Sequence, residues 1–137
     1  MRRAALLVGV GGAVITVRRA RLEPVRVEGD SMLPTLPSGA LLAVSAPSSD
    51  PAYGSVVVVR RPDGSEHVKR IIGVPGDRIR LNGARETLLR DDEYAVRGDN
   101  RARSTDSRHY GPVARDQIVG RARVCYWPPR CWRVLPG

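Results

Sequence analysis

Aromatic residues are scarce in this sequence: they make up only 4% of its 137 residues, and Phe is absent. Proteins that bind single-stranded nucleic acids stack bases on aromatic side chains. The chain carries a net charge of +9, but its basic residues are spread along the sequence and form no basic helix or aromatic-studded strand. We therefore predict no nucleic-acid partner.

Potential metal ligands are also few. The sequence has two Cys, Cys125 and Cys131, and two His, His67 and His109. Neither a CxxC pair nor a Cys/His cluster is present, so we predict no metal site and no cofactor. The two Cys lie six residues apart around a Pro-Pro turn. They are interpreted either as a disulfide of an outward-facing domain or as two free thiols.

Lysine is almost missing, because 22 of the 23 basic residues are Arg and only Lys69 is Lys. Arg keeps its proton in proteins, whereas a buried Lys can lose its proton and act as a base. The single Lys is either a chance survivor in an Arg-rich chain or a residue kept for this chemistry.

Charge is absent from residues 4–17, a run of fourteen residues between Arg pairs. A signal peptide, a buried helix and a membrane anchor are the three interpretations. As a helix this run spans about 21 Å, short of the roughly 30 Å of a bilayer core, but flanking Arg residues can snorkel to the interface. We predict an apolar helix within residues 1–22 that anchors the protein to the lipid bilayer.

The remaining residues, 23–137, have a β pattern. Apolar or alternating runs cover residues 25–27, 41–44, 56–60, 68–74, 79–81, 94–96 and 118–127. Turn signals separate them, and Asn82-Gly83 is typical of a two-residue hairpin. The pattern predicts an all-β fold: one compact, bent, antiparallel, barrel-like domain.

Ser31 lies where a short strand meets a proline-containing loop. A turn Ser usually bonds its own backbone, and the chain has nine Ser, so a nucleophilic role needs a partner base. His67 and His109 fit a Ser-His-Asp pattern poorly. Lys69 lies in an apolar strand, where burial disfavours its charged form and lowers its pKa toward the range of a usable base. The alternative for Lys69 is a snorkelling surface residue on an edge strand.

Three motifs, in this order, resemble those of type I signal peptidases. They are G-D-S-M-L-P-T-L around Ser31, V-K-R-I-I-G-V-P-G-D from residue 68, and G-D-N-R-A-R-S-T-D-S-R-H-Y-G-P-V from residue 98. A fourth segment, Y-G-S-V-V-V-V, is similar too, although Ser55 stands where the family usually has Asp. The resemblance covers about residues 25–124.

The resemblance implies a serine endopeptidase that cleaves signal peptides from preproteins. Ser31 is then the nucleophile and Lys69 the general base, and the Ser31 amide contributes to the oxyanion hole. Some relatives add a Ser hydroxyl where this chain has Gly29. Ser104 matches the residue that orients the Lys, and Asp106 is expected to pair with Arg108 and with Arg70.

Substrate binding follows from the same resemblance and from the β pattern. An extended peptide is expected to add as a strand between the segment before Ser31 and the strand with Lys69. Small, Ala-like residues are then expected at the first and third positions before the cut. The residues expected to contact substrate are Gly29, Asp30, Met32 and Val68.

Location is the least constrained expectation. The resemblance implies a cell-membrane protein with one N-terminal anchor and an extracytoplasmic catalytic domain. The positive-inside rule argues the other way, because Arg18, Arg19, Arg21 and Arg26 outnumber Arg2 and Arg3. A maturation protease for one precursor, even a cytoplasmic one, therefore stays an alternative, and so does an inactive peptide-binding module. The sequence leaves the oligomeric state open.

Overall fold

The N-terminal segment is a hairpin in the computed structural model, which describes residues 6–10, 13–17, 21–47, 49–83 and 85–137. Strand β1 (Leu6–Val10) pairs antiparallel with β2 (Ala13–Val17). The helix expected here is therefore replaced by strands, in keeping with the β-branched Val, Ile and Thr that fill the segment and favour strands over helices. In the described part of the chain, no helix is both long enough and apolar enough to cross a membrane.

The predicted all-β fold is confirmed, and it is built on a main antiparallel sheet. Its strands are β3 (Leu22–Arg26), β4 (Leu41–Ser45), β5 (Val56–Arg60), β6 (Glu66–Gly73), β9 (Glu93–Arg97), β10 (Val113–Ala114), β11 (Ile118–Trp127) and β12 (Arg133–Val134). A separate hairpin joins β7 (Arg78–Arg80) to β8 (Glu86–Leu88). Five residues connect these two strands, so the two-residue turn predicted at Asn82-Gly83 is wrong in its length.

Helical structure is limited to short pieces among the described residues. One helical turn, α1 (Ser107–Tyr110), follows three residues after the 3₁₀ turn Arg101–Arg103. Two further 3₁₀ turns, Arg115–Gln117 and Pro129–Cys131, flank β11.

The main sheet runs in the order β10-β9-β6-β5-β11-β4-β3, with β12 also paired to β11. Strand β3 ends the sheet, yet residues of β3 and of β6 line one shared cavity. The sheet must therefore curl, which brings the edge of β3 opposite the first half of β6. On its other side β6 pairs with β9, but only from Arg70 onward.

Strand β5 is covered on both faces of the sheet. Its four consecutive Val residues are each at most 2% exposed. Val56 and Val58 pack into one apolar cluster with Met32 and Leu36, and Val57 and Val59 pack into another. A continuous apolar run is what a strand buried on both faces requires.

The side chains of β6 alternate between the two faces of the sheet, in register with those of β5. Val68 lies opposite Val58, and Lys69 lies opposite Val57. Because side chains alternate along a strand, Val68 faces the first cluster and Lys69 faces the second.

Candidate active site

Lys69 is held inside the domain by its position in the middle of β6. It is 2% exposed, and its Nζ lies 3.1 Å from Oγ of Ser104. Burial lowers the pKa of Lys69, although the charge of Asp106 offsets part of the effect. No carboxylate of the described residues lies within salt-bridge distance of Nζ, so no direct ion pair opposes the lowering of the Lys69 pKa by burial.

Ser104 determines how that amine is oriented. Its hydroxyl donates to Oδ2 of Asp106 at 2.7 Å, and it accepts from the Gly98 amide at 3.1 Å. The one hydroxyl proton is thereby used, so Lys69 must donate to Ser104. A neutral amine that donates here keeps its lone pair directed away from Ser104, free to accept a proton.

Asp106 fixes the loop that carries Ser104. Its buried carboxylate accepts from the guanidinium of Arg108, with Nε at 2.9 Å, and from the Gly98 amide at 3.0 Å. Burial alone would raise the pKa of Asp106, but these hydrogen bonds and the Ser104 hydroxyl lower it to about 2. The expected pairing with Arg108 is therefore present.

Arg70 does not pair with Asp106, and that expectation is wrong. Its guanidinium instead forms a two-pronged ion pair with Asp99, both bonds 2.8 Å long. A third bond runs to the carbonyl of Gly54. Arg70 follows Lys69 in β6 and so points to the opposite face, away from Asp106.

Ser31 is brought beside this cluster by its backbone. The carbonyl of Ser31 accepts from the Asn100 amide at 2.9 Å, and the Asn100 side chain donates to the carbonyl of Asp30 at 3.1 Å. A Cβ on Gly98 would lie 2.5 Å from the Ser31 carbonyl oxygen and closer still to Oγ of Ser104. Only glycine fits between these two residues.

Gly98 and Asn100 thus hold Ser31 next to Ser104, a role that the sequence analysis did not assign to them. Their signal lay in the third motif, whose G-D-N run precedes Ser104 by a fixed six residues. The motif gave their place in the chain but not the residues they contact.

The groove between β3 and β6 opens beside Ser31. It has a volume of about 740 Å³ and is lined by Val25, Arg26, Val27, Glu28, Gly29, Ser31, Val58, Gly64, Ser65, Glu66, His67 and Val68. Its floor is apolar and its rim is polar. Ser31 is half-buried, and its amide and its hydroxyl donate to no described residue, so both remain available to a bound molecule.

Of the four residues expected to contact substrate, two line the groove and two do not. Gly29 and Val68 line the groove. Met32 is fully buried in the cluster beneath it, against which Val68 packs. Asp30 lies outside the lining and is 3.6 Å from the guanidinium of Arg103.

Neither histidine belongs to a triad. Nε2 of His67 lies 3.0 Å from Oγ of Ser65, but Asp63 contacts that Ser and not the His ring. His109 accepts from the amide of Asp106 and caps α1. A Ser-His-Asp triad needs the carboxylate hydrogen-bonded to the imidazole, and neither histidine has such a bond among the described residues.

Comparisons with known proteins agree with this geometry. The family model for "Signal peptidase, peptidase S26" matches residues 1–88 and 82–127. The chain belongs to this family. It is 34% identical to signal peptidase I of Bacillus caldolyticus, over 84% of this chain and 85% of that protein. Signal peptidase IB of Staphylococcus aureus strain Mu50 is 29% identical, over 77% of this chain and 78% of that protein.

Proposed function

We propose that this S26 family member is a membrane-associated serine endopeptidase that removes signal peptides from exported preproteins after small residues. Ser31 is the nucleophile and Lys69 the general base. The relatives are named signal peptidases, which supports the substrate class. The observation that carries the mechanism is the buried Lys69, which donates to Ser104 and has its lone pair free.

The reaction follows from this arrangement. Oγ of Ser31 attacks the scissile carbonyl carbon while Nζ of Lys69 takes the hydroxyl proton. The Ser31 amide donates to the oxyanion, an interaction typically worth roughly 3–4 kcal/mol. Lys69 then returns the proton to the leaving amine, and the C–N bond breaks. Water, deprotonated by Lys69, hydrolyses the acyl-enzyme ester and restores Ser31.

Substrate enters the groove as an added strand. Strand β3 has a free outer edge, and the first half of β6 has no partner strand on the groove side among the described residues. Both edges offer backbone donors and acceptors to an extended peptide. Small side chains at the first and third positions before the cut then face the apolar floor at Val27, Val58 and Val68.

Membrane association is supported by two features. The uncharged run at residues 4–17 offers an apolar segment to a bilayer, although its described residues form paired strands in place of the predicted helix. The other is an exposed patch next to the disulfide: Trp127 is 54% exposed, Trp132 68% and Val134 82%, with Arg130 and Arg133 between them. Trp and Arg side chains together suit a membrane–water interface, where rings meet acyl chains and cations meet anionic headgroups.

An extracytoplasmic catalytic domain is supported by the disulfide between Cys125 and Cys131, both of them buried. Disulfides persist in oxidising compartments and are rare in the cytosol. This bond weighs against the cytoplasmic maturation protease, which the Arg residues after the apolar run favour. Reacting intact cells with a membrane-impermeant protease separates the two: digestion of the domain supports export, and protection supports the cytoplasmic alternative.

The mechanism is tested with purified full-length protein in detergent, a preprotein carrying an Ala-X-Ala cleavage site, and the variants Ser31→Ala, Lys69→Ala and Lys69→Arg. All three are expected to fold and to lose at least about 10³-fold in kcat, as removal of a nucleophile or base does. Lys69→Arg keeps charge and bulk without a usable base. Substantial cleavage by Lys69→Arg, or by Ser31→Ala, would sink the dyad. Arg78→Lys, on an exposed strand, is the matched control for the exchange.

A further inference from the structure

A second cavity adjoins the groove on the other side of β6. Its volume is about 390 Å³, and its lining is Arg61, Pro62, Asp63, Ser65, His67, Thr105 and Tyr110. It shares Ser65 and His67 with the groove. The two spaces are therefore continuous around the free edge of β6.

The two cavities lie on opposite faces of that edge. Val68 and Val58 belong to the groove face, whereas His67 points to the same face as Lys69 because the two are separated by two positions in one strand. A peptide strand laid along this edge alternates in the same way. If its first and third side chains before the cut enter the groove, its second faces the smaller cavity.

The polar groups of the cavity divide into those already bonded and those left open. Oδ1 of Asp63 accepts both the amide and the hydroxyl of Ser65, at 2.9 and 2.6 Å. Since the Ser65 proton is used, a hydrogen bond with His67 must be donated by Nε2–H of the imidazole. Oδ1 of Asp63, the Ser65 hydroxyl and Nε2 of His67 are thus already used within this chain of hydrogen bonds.

Arg61 is the main open group. Its guanidinium stacks 3.6 Å from the centroid of the Tyr110 ring and forms no salt bridge with a carboxylate of the described residues. Thr105 adds an exposed hydroxyl, and the Tyr110 hydroxyl is buried without a described hydrogen-bond partner. A planar guanidinium held on an aromatic ring is suited to bind a carboxylate with two parallel hydrogen bonds.

We propose that this cavity is a substrate subsite that takes an acidic side chain at the second position before the cut, with Arg61 as its specificity-determining residue. The proposal rests on the proposed cleavage by Ser31 and Lys69, and it narrows the substrate class. Preferred sites would read Ala-Glu-Ala before the cut, ahead of Ala-Ala-Ala or Ala-Lys-Ala.

Four synthetic peptides test it, identical except for Glu, Gln, Ala or Lys at the second position before the cut. For the parent protein we expect kcat/KM for the Glu peptide to exceed that for the Gln peptide by about fivefold, the range of a partly exposed ion pair. Arg61→Gln should remove this preference and bring the ratio of kcat/KM for the Glu peptide to that for the Gln peptide close to one. Arg61→Lys should keep part of the preference, because charge remains while the planar fork is lost.

Arg60→Gln is the matched control. Arg60 is next in the chain but pairs with Glu66 on an exposed surface and does not line the cavity. Equal kcat/KM values for the Glu and Gln peptides with the parent protein would overturn the proposed acidic subsite. A preference for the Lys peptide would also overturn it, because it would point to Asp63 as the residue that binds the side chain. Failure to cleave any of the four peptides counts against the proposed function, so the two failures are distinguishable.

Discussion

Nζ of Lys69 donates to Oγ of Ser104 across 3.1 Å, and the Ser104 hydroxyl in turn donates a hydrogen bond to Oδ2 of Asp106 at 2.7 Å. In the proposed mechanism, this hydrogen-bond order gives Ser104 a positioning role: it holds the amine in one orientation and does not take the proton of Ser31. In this arrangement the lone pair of Lys69 stays free, and the Ser104 hydroxyl lies between Nζ of Lys69 and the carboxylate of Asp106.

Ser104→Ala should therefore slow catalysis without weakening substrate binding. We expect kcat to fall by about 10–100-fold, since small misplacements of a catalytic group have effects of this size, while KM changes little. Steady-state kinetics on one preprotein measure the two parameters separately.

The control is Ser107→Ala. Ser107 is buried in the same loop, but its hydroxyl accepts from the Val96 amide and does not contact Lys69. Equal losses of kcat in both variants would reduce Ser104 to a structural role.

Activity should rise with pH along a limb set by Lys69. The amine must be neutral to act as a base, and burial lowers its pKa from the ordinary value of about 10.4. The rising limb of kcat/KM against pH should thus lie below that value. Ser104→Ala should shift the limb, because it changes the hydrogen bonding of the amine, and a limb unmoved from about 10.4 in the parent protein would contradict a buried base.

The fold and most strand positions were predictable from the sequence. The runs predicted at 56–60 and 118–127 match β5 and β11 residue for residue, because a continuous Val run and an apolar, partly alternating run are local signals. The N-terminal segment was not predictable: its apolar run suits a helix by length, whereas its Val, Ile and Thr suit strands.

The pairings among the predicted site residues were only partly predictable from the sequence. Lys69 stood out by composition and Ser31 by motif. Arg70 was assigned to Asp106 because charge complementarity alone cannot distinguish Asp106 from Asp99 as its partner. Asp99 lies seven residues before Asp106 in the chain. The strand alternation that turns Arg70 away from Lys69 decides the matter, and it becomes visible only once the register with β5 is known.

Lys69→Met should stabilise the protein while inactivating it. The parent protein bears the cost of a buried amine, and functional sites commonly give up about 1–2 kcal/mol of stability in this way. With a lowered native pKa, the unfolded chain binds the proton more tightly, so parent stability rises with pH until the ordinary pKa is passed. The gain from Met should hence be larger near pH 7 than near pH 10, measured by urea unfolding at both. A gain independent of pH would show that the amine is not titrating in this window.

The free energy of unfolding should fall with pH where the carboxylate of Asp106 becomes protonated. Its pKa is about 2 in the folded protein and about 3.9 when unfolded, so its contribution is complete above about 4. About 2 kcal/mol should be lost as pH falls from about 4 to about 2. Asp106→Asn should already lack this contribution near neutral pH and lose less stability on acidification. Parallel acid unfolding curves for parent and variant would contradict the assignment.

Ser55 occupies a buried site that is prepared for a carboxylate. It is fully buried, and both its hydroxyl and Nε of Arg121 are buried without a described hydrogen-bond partner. Both atoms lie within 3 Å of the point where a Cβ on Gly137 would stand, at 2.5 and 2.8 Å. Nε of Arg121 is buried without a bonded acceptor, so this nitrogen keeps part of its desolvation cost.

Ser55→Asp should thus raise the free energy of unfolding by about 1–2 kcal/mol, because it supplies a charged acceptor to a guanidinium nitrogen that is already desolvated. Ser55→Asn has nearly the same shape without the charge and should give little or no gain. The double variant Ser55→Asp with Arg121→Gln should fall below the parent, since the new carboxylate would then be buried alone. Urea unfolding of the four proteins gives the coupling energy, and a Ser55→Asp variant no more stable than Ser55→Asn would show that the two side chains do not meet.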